Sequence, residues 1–190
     1  MLNNSLSIDD KKTIISDLEH NGYEYVLIPF NEFHDPFITA VYLQKYTSSL
    51  KFFIAVRPYV MTPMYCALLC KTIDEINHGS IALNIVNGTF DDDQLLFTEY
   101  QTIEERRKLS RDFAIKIKSE TNIKIGFSGS SDQTIKNVLN YGDINFNMFS
   151  DIDKKLINNM KKNNKRLIVR VFIAILNDES QSKLLDSSIN

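Results

Sequence analysis

The sequence predicts an α/β fold built on a parallel sheet, and three observations carry that expectation. The stretch from Leu50 to Gly88 reads as apolar run, turn, long apolar helix, turn, apolar run: KFFIAVRP, then TPMYCALLCKTIDEINHG, then SIALNIVNG. Two apolar strands with a capped helix between them need a crossover, since a hairpin joins its strands by a short turn. The same alternation runs through the chain, six helical and six strand patterns with a helix first. The strand patterns are mostly apolar rather than alternating, as in a sheet covered on both faces. Strict alternation fits an open doubly wound sheet or part of a (β/α) barrel, and the pattern alone does not separate the two.

Taken in order, a first helix is expected from about Ile8 to His20. Ser7 caps it with Asp10 three residues on, and Asn21-Gly22 stops it. Tyr23 to Phe30 reads as a strand. Asp35-Pro36 opens a helix to about Tyr46, proline suiting the first turn. The next strand is Leu50 to Arg57, and Thr62-Pro63 starts the central helix. Met64, Tyr65, Cys66, Ala67, Leu68 and Leu69 make that helix apolar on more than one face, so the sheet and something further, such as another subunit, are expected to cover it. Ile81 to Asn87 is a strand, followed by an acidic DDDQ loop. Thr102 and Glu105 form a capping box for a helix to about Lys118. Ile123 to Phe127 is a short strand leading into SGSS; a helix follows from Asp132 to Asn140, stopped at Gly142. Asp143 to Phe149 is a strand, Asp151 to Lys162 a helix, and Arg166 to Leu176 the last strand.

Composition narrows the class. At 190 residues the chain makes one domain, here residues 1–176 with a polar tail 177–190. Hydrophobic residues at 43% and charged residues at 24% mark a globular protein. A net charge of −2 with interspersed signs argues against a nucleic-acid partner, and the KKNNKR cluster reads as a solvated helix end. Cys66 and Cys70, four apart in an apolar helix, read as buried free thiols in a reducing compartment. The start lacks a signal-peptide pattern, and no apolar run approaches the roughly 20 residues of a membrane span, so a cytoplasmic protein without membrane contact is expected.

In either parallel architecture, ligands meet the carboxyl ends of the strands. Gly129, Ser130 and Ser131 in SGSS join a strand to a helix N-terminus, which suits either an anion such as phosphate or a plain serine cap. Asn84 and Asn87 flank the end of an apolar strand, where an amide must find loop backbone or the edge of a planar ring. Arg57, and Arg170 within the most apolar strand, either pair with a buried carboxylate or face an anionic ligand. No histidine forms a metal-ligand pair, and neither a Ser–His–Asp spacing nor a Walker loop is present.

These residues also carry a family resemblance. VLIP, then DPF, then LKFFIAVRPYVMTPMYCALLCKTIDEINHGSIALNIVNG resembles the luciferase-like flavin-dependent monooxygenases, and within them the alkanesulfonate monooxygenases. Further on, EERRKLSRDF, FSGSSDQTIKNVLNYGDINFNMF and RLIVRVFIAIL resemble the family's motifs in the same order, so the likeness runs from about Tyr23 to Leu176.

The resemblance implies a TIM-barrel-derived fold truncated to about six strands, with reduced FMN as bound substrate and oxygen as oxidant. It maps Asn84 and Asn87 to the isoalloxazine, Ser130 and Ser131 to the phosphate, and Arg170 to the substrate; Gly88 and Gly129 adjoin these as candidate cofactor-binding residues, and Arg57 joins Arg170 as a candidate catalytic residue. It further implies a homodimer or heterodimer through helices 36–46 and 63–77, and a flavin reductase as possible partner. The departures imply a degraded site. The first and last strands of the barrel are missing, and the family's cysteine falls at Phe33 or His34. The two phosphate-assisting residues fall at Ile103 and Arg107, where Arg107 restores part of the loss by pairing with phosphate itself. The histidine beyond the strand arginine has become Phe172. Two lost charge-assisted partners weaken FMN by about two to four orders of magnitude. The functional expectations are therefore a reduced but working flavin monooxygenase, a flavin-binding or assembly subunit without turnover, or a remnant with no function. The sheet edges left by the missing strands are expected to be covered by the N-terminal helix, by Leu184-Leu185, or by a partner.

Overall fold

The computed structural model describes residues 7–30, 34–87 and 102–170. Among them, helix α1 is Ile8–His20, β1 Tyr25–Ile28, α2 Pro36–Leu43, β2 Lys51–Val56, α3 Pro63–Ile76, β3 Ile81–Ile85 and α4 Ile103–Glu120. Then come β4 Lys124–Ser128, α5 Asp132–Tyr141, β5 Ile144–Met148, α6 Lys154–Lys162 and β6 Arg166–Arg170. All six strands are parallel and lie in sequence order, β1 beside β2 through to β6. Each strand thus pairs with its predecessor after a helical crossover, which makes the fold an open, truncated TIM-type barrel rather than a doubly wound sheet.

Local chemistry accounts for the helix starts. The Ser7–Asp10 and Thr102–Glu105 capping boxes both form, each side chain bonding the other residue's backbone N–H. Asp35 and Thr62 cap α2 and α3 ahead of their prolines. Some boundaries differ from expectation. The helix foreseen to Tyr46 tightens into a 3-10 turn at Gln44–Tyr46. The one foreseen from Asp151 begins at Lys154, because Asp153 accepts from the Leu156 N–H at 2.6 Å and is the cap. Residues before it, Phe149–Asp151, form a separate 3-10 turn. The DDDQ loop, the last strand beyond Arg170 and the polar tail lie outside the described residues.

Alternation along each strand sorts the side chains into two layers. One set, including Phe52, Ile54, Leu83, Ile125 and Phe127, packs beneath the helices with Phe37, Cys66, Cys70 and Phe113. The other lines the concave side, where Phe53, Ala82 and Ile144 are packed by Tyr25, Leu27, Phe146 and Ile168. Phe53 dominates this inner layer, meeting Tyr25 and Phe146 edge-on at 6.4 and 5.9 Å between ring centres. Its ring occupies the space where a Cβ on Gly126 would stand, 2.5 Å from the Cζ position, which explains a glycine inside a strand.

Helix α3 shows its expected double character. Cys66, Ala67, Cys70 and Ile73 are buried. Met64, Tyr65 and Leu68 are 50, 55 and 57% exposed, so the second apolar side is bare in the single chain. The two cysteines are free and buried; the Cys70 hydrogen bond and burial push the Cys66 thiol well up. No helix of the described residues is long and apolar enough to cross a membrane.

The edge strands β1 and β6 face each other across a gap. At its amino end the Arg166 guanidinium forks onto both oxygens of Glu24, with Nη1 at 2.8 Å from Oε1, and lies 4.9 Å over the Tyr25 ring. Behind this fork a cavity of about 560 Å³ runs between the two strands, lined among others by Leu18 of α1, Leu27, Phe53, Phe146, Ile168 and Arg170.

Candidate functional site at the carboxyl ends of the strands

Because all strands run the same way, their carboxyl ends share one rim, and Asn84, Ser128 and Arg170 all stand at it. Asn84 is 1% exposed. By strand alternation it shares the concave face with Ala82. Its register neighbours are Ala55 and Gly126, the smallest flanks a strand can offer. Ser128 Oγ donates to its Oδ1 at 2.9 Å, which fixes the amide so that Nδ2 points away from Ser128 as a remaining donor.

Asn87 is held differently. Ser110 Oγ donates to its Oδ1 at 2.5 Å, and Arg106 Nη1 approaches its backbone carbonyl at 3.4 Å. Both partners come from α4, whose buried face reads Arg106, Ser110, Phe113, Ala114 and Ile117. Arg107, one residue on, turns off that face and pairs with Glu104 at 3.9 Å. Gly88 lies outside the described residues.

The SGSS turn is built by its glycine and by two asparagines of β5. Gly129 has φ +113°, open to glycine alone at low cost, and its N–H donates to the Phe146 carbonyl at 3.0 Å. Asn145, fully buried, donates Nδ2 to the carbonyls of Gly129 at 3.1 Å and Phe127 at 3.4 Å. Asn147 Nδ2 then donates to Asn145 Oδ1 at 2.5 Å. Ser131 caps α5: its Oγ accepts from the Thr134 N–H at 3.2 Å and pairs with Thr134 Oγ1 at 2.9 Å. Ser130 is exposed and borders a hollow of about 280 Å³, shared with Asp132, Asp151, Asp153, Lys155 and Asn159.

Arg57 follows β2 and places its guanidinium 5.0 Å over the Phe30 ring. Arg170, the last residue of β6, pairs in register with Met148 and borders the gap beside β1. The structure thus brings Asn84, Ser128 and Gly129 into one contiguous group, holds Asn87, just after β3, against α4, and stations Arg57 just after β2 and Arg170 at the end of β6. Four residues of this rim had escaped the sequence reading. Arg106 and Ser110 were findable from their i, i+4 spacing ahead of Phe113, Ala114 and Ile117. Asn145 and Asn147 were findable from their period of two. Among the described residues, no group of three His, Cys, Asp or Glu is placed to hold a metal ion.

Residues 2–119 match the family model described as Luciferase-like monooxygenase. Among solved structures, an EDTA monooxygenase from Chelativorans sp. BNC1 superposes with a TM-score of 0.74 at 10% identity, covering 96% of this chain and 59% of its own. A riboflavin lyase, solved with modified FMN and riboflavin, gives 0.72 at 14% identity, covering 95% and 59%. A coenzyme F420-dependent tetrahydromethanopterin reductase from Methanopyrus kandleri gives 0.66 at 16%, covering 97% and 70%. At these identities the likeness establishes the fold, and the chain spans about 59 to 70% of the length of these structures.

Proposed function

Because this chain belongs to the luciferase-like monooxygenase family, we propose that it binds a reduced flavin at the carboxyl rim of its sheet and serves in a monooxygenase reaction of the alkanesulfonate type. FMN is the form the sequence resemblance implies. The observation that carries the reading is Asn84: a nearly fully buried amide, oriented by Ser128, flanked by Ala55 and Gly126, on the inner face of the sheet. A buried donor of this kind, set between the two smallest side chains, suits the polar edge of a flat ring.

Reduced flavin, when bound, supplies two electrons to dioxygen, one oxygen atom entering the substrate and the other leaving as water. The chain's own part is to orient and enclose. Asn84 Nδ2 fixes the ring edge. Phe53, Phe146 and Ile168 supply an apolar inner wall for the ring. Arg57 and Arg170 supply positive charge for an anionic, sulfonate-like substrate. A separate flavin reductase would supply the reduced form. The site is degraded relative to the family pattern, since Ile103 and Arg107 stand where phosphate-assisting residues are expected.

A second reading, a flavin-binding or assembly subunit without turnover, is favoured by the bare side of α3. Met64, Tyr65 and Leu68 there offer a homodimer or heterodimer contact together with α2. Flavin titration decides the first point. Quenching of flavin fluorescence at micromolar protein, weakened about tenfold by Asn84→Ala, is expected. Absence of quenching with oxidised flavin, together with no binding of the reduced form under anaerobic conditions, removes the flavin reading. Oxygen uptake with reduced flavin and an alkanesulfonate then separates turnover from binding alone.

A further inference from the structure

We infer that the flavin this rim takes carries a neutral, hydroxyl-bearing tail rather than a dianionic phosphate; this rests on the flavin reading above. Three independent features of the SGSS turn point there. First, the Ser131 hydroxyl is already committed to the Thr134 N–H and hydroxyl. Second, the hollow beside Ser130 is lined by the carboxylates of Asp132, Asp151 and Asp153 against the single ammonium of Lys155. Asp132 occupies the first turn of α5, so the helix N-terminus already has its negative partner. A phosphate entering there meets like charge at close range.

Third, the hydrogen-bond relay behind the turn runs in one direction. Asn145 gives its Nδ2 to the Gly129 and Phe127 carbonyls, so its Oδ1 must accept, and Asn147 must donate. That leaves Asn147 Oδ1, in a residue 2% exposed, as an acceptor with no partner among the described residues. An acceptor calls for an O–H or N–H, which the terminal hydroxyl of an unphosphorylated tail has and a phosphate dianion lacks. Around the hollow itself three carboxylates face one ammonium, a balance that favours a neutral group over a dianion. Arg107, the cation nearest in sequence logic to a phosphate, is paired with Glu104 on α4.

The experiment compares riboflavin with FMN, which differ only in the phosphate, by fluorescence quenching at low and high salt. Riboflavin is expected to bind about tenfold more tightly at low salt, the gap narrowing as salt screens the carboxylates. In Asp132→Asn/Asp151→Asn, FMN affinity is expected to rise about tenfold while riboflavin affinity stays level. Both positions are exposed, so the variant tests charge without disturbing the core. FMN binding as tightly as riboflavin, or more tightly, overturns the inference and leaves the flavin reading standing. If neither molecule binds, the flavin reading itself has failed and this inference falls with it.

Discussion

Gly126→Ala probes the inner layer of the sheet. The added methyl would stand 2.5 Å from Phe53 Cζ and 2.9 Å from Cε2, with Ile144 Cβ at 3.3 Å. Phe53 is 1% exposed and held by Tyr25 and Phe146, so its ring has no vacant direction to take except toward the gap between β1 and β6. Overpacking of this kind costs about 1–3 kcal/mol. In a chain of this size that lowers Tm by about 2–4 °C per kcal/mol. Urea denaturation followed by circular dichroism measures it. The partner test is Phe53→Leu, which opens space at the same point and costs about 1–2 kcal/mol alone by loss of buried apolar area. The double variant Phe53→Leu/Gly126→Ala should be less destabilised than the sum of the singles by at least about 0.5 kcal/mol, since the two residues touch. Strict additivity, or a Gly126→Ala protein as stable as the parent, would refute the assignment of Phe53 to the space over Gly126.

Three further outcomes are expected. Arg166 holds the Glu24 carboxyl down at about 2 from an ordinary 4.5, so the fork contributes stability that is present above pH 4.5 and lost as pH falls toward 2. With side chains 40 and 45% exposed, that amounts to about 0.5–1 kcal/mol, and Glu24→Gln should flatten the acid limb of the stability curve between those values. Asp153→Ala removes the cap from α6 and should cost about 1 kcal/mol in urea denaturation, with Asp153→Asn close to neutral. Leu68→Glu should leave the stability of the chain within about 0.5 kcal/mol while abolishing any dimer seen by sedimentation; a parent protein that sediments as a monomer removes the α3 contact from consideration.

The parts of the fold legible in the sequence were those written in local chemistry. Ser7 with Asp10, Thr102 with Glu105, and Asp35-Pro36 announced their helices through contacts three residues apart, and the strand–helix–strand unit around α3 announced a parallel sheet. The candidate site was legible in part. Asn84 was foreseen as a buried amide seeking partners, but its partner Ser128 lies 44 residues away and is fixed only by the β3–β4 register. Arg106 was passed over for its neighbour Arg107, because the resemblance pointed to one column and the helical period to the other. Asn145 and Asn147 look like polar interruptions of an apolar strand until the SGSS carbonyls they hold are seen. The fork between Glu24 and Arg166 had no signature at all, being a contact between residues 142 apart.

The strand order has a consequence for how such a chain comes together during synthesis. Every strand finds its partner in the segment translated just before it, so the sheet can lengthen one crossover at a time as the polypeptide emerges, with no strand waiting for a distant mate. Among the described residues, the ion pair between Glu24 and Arg166 is exempt from that schedule. Glu24 is made early and stays without its guanidinium until residue 166 has appeared, so the join between the first and last strands is the final clasp, and five strands are already assembled when it shuts.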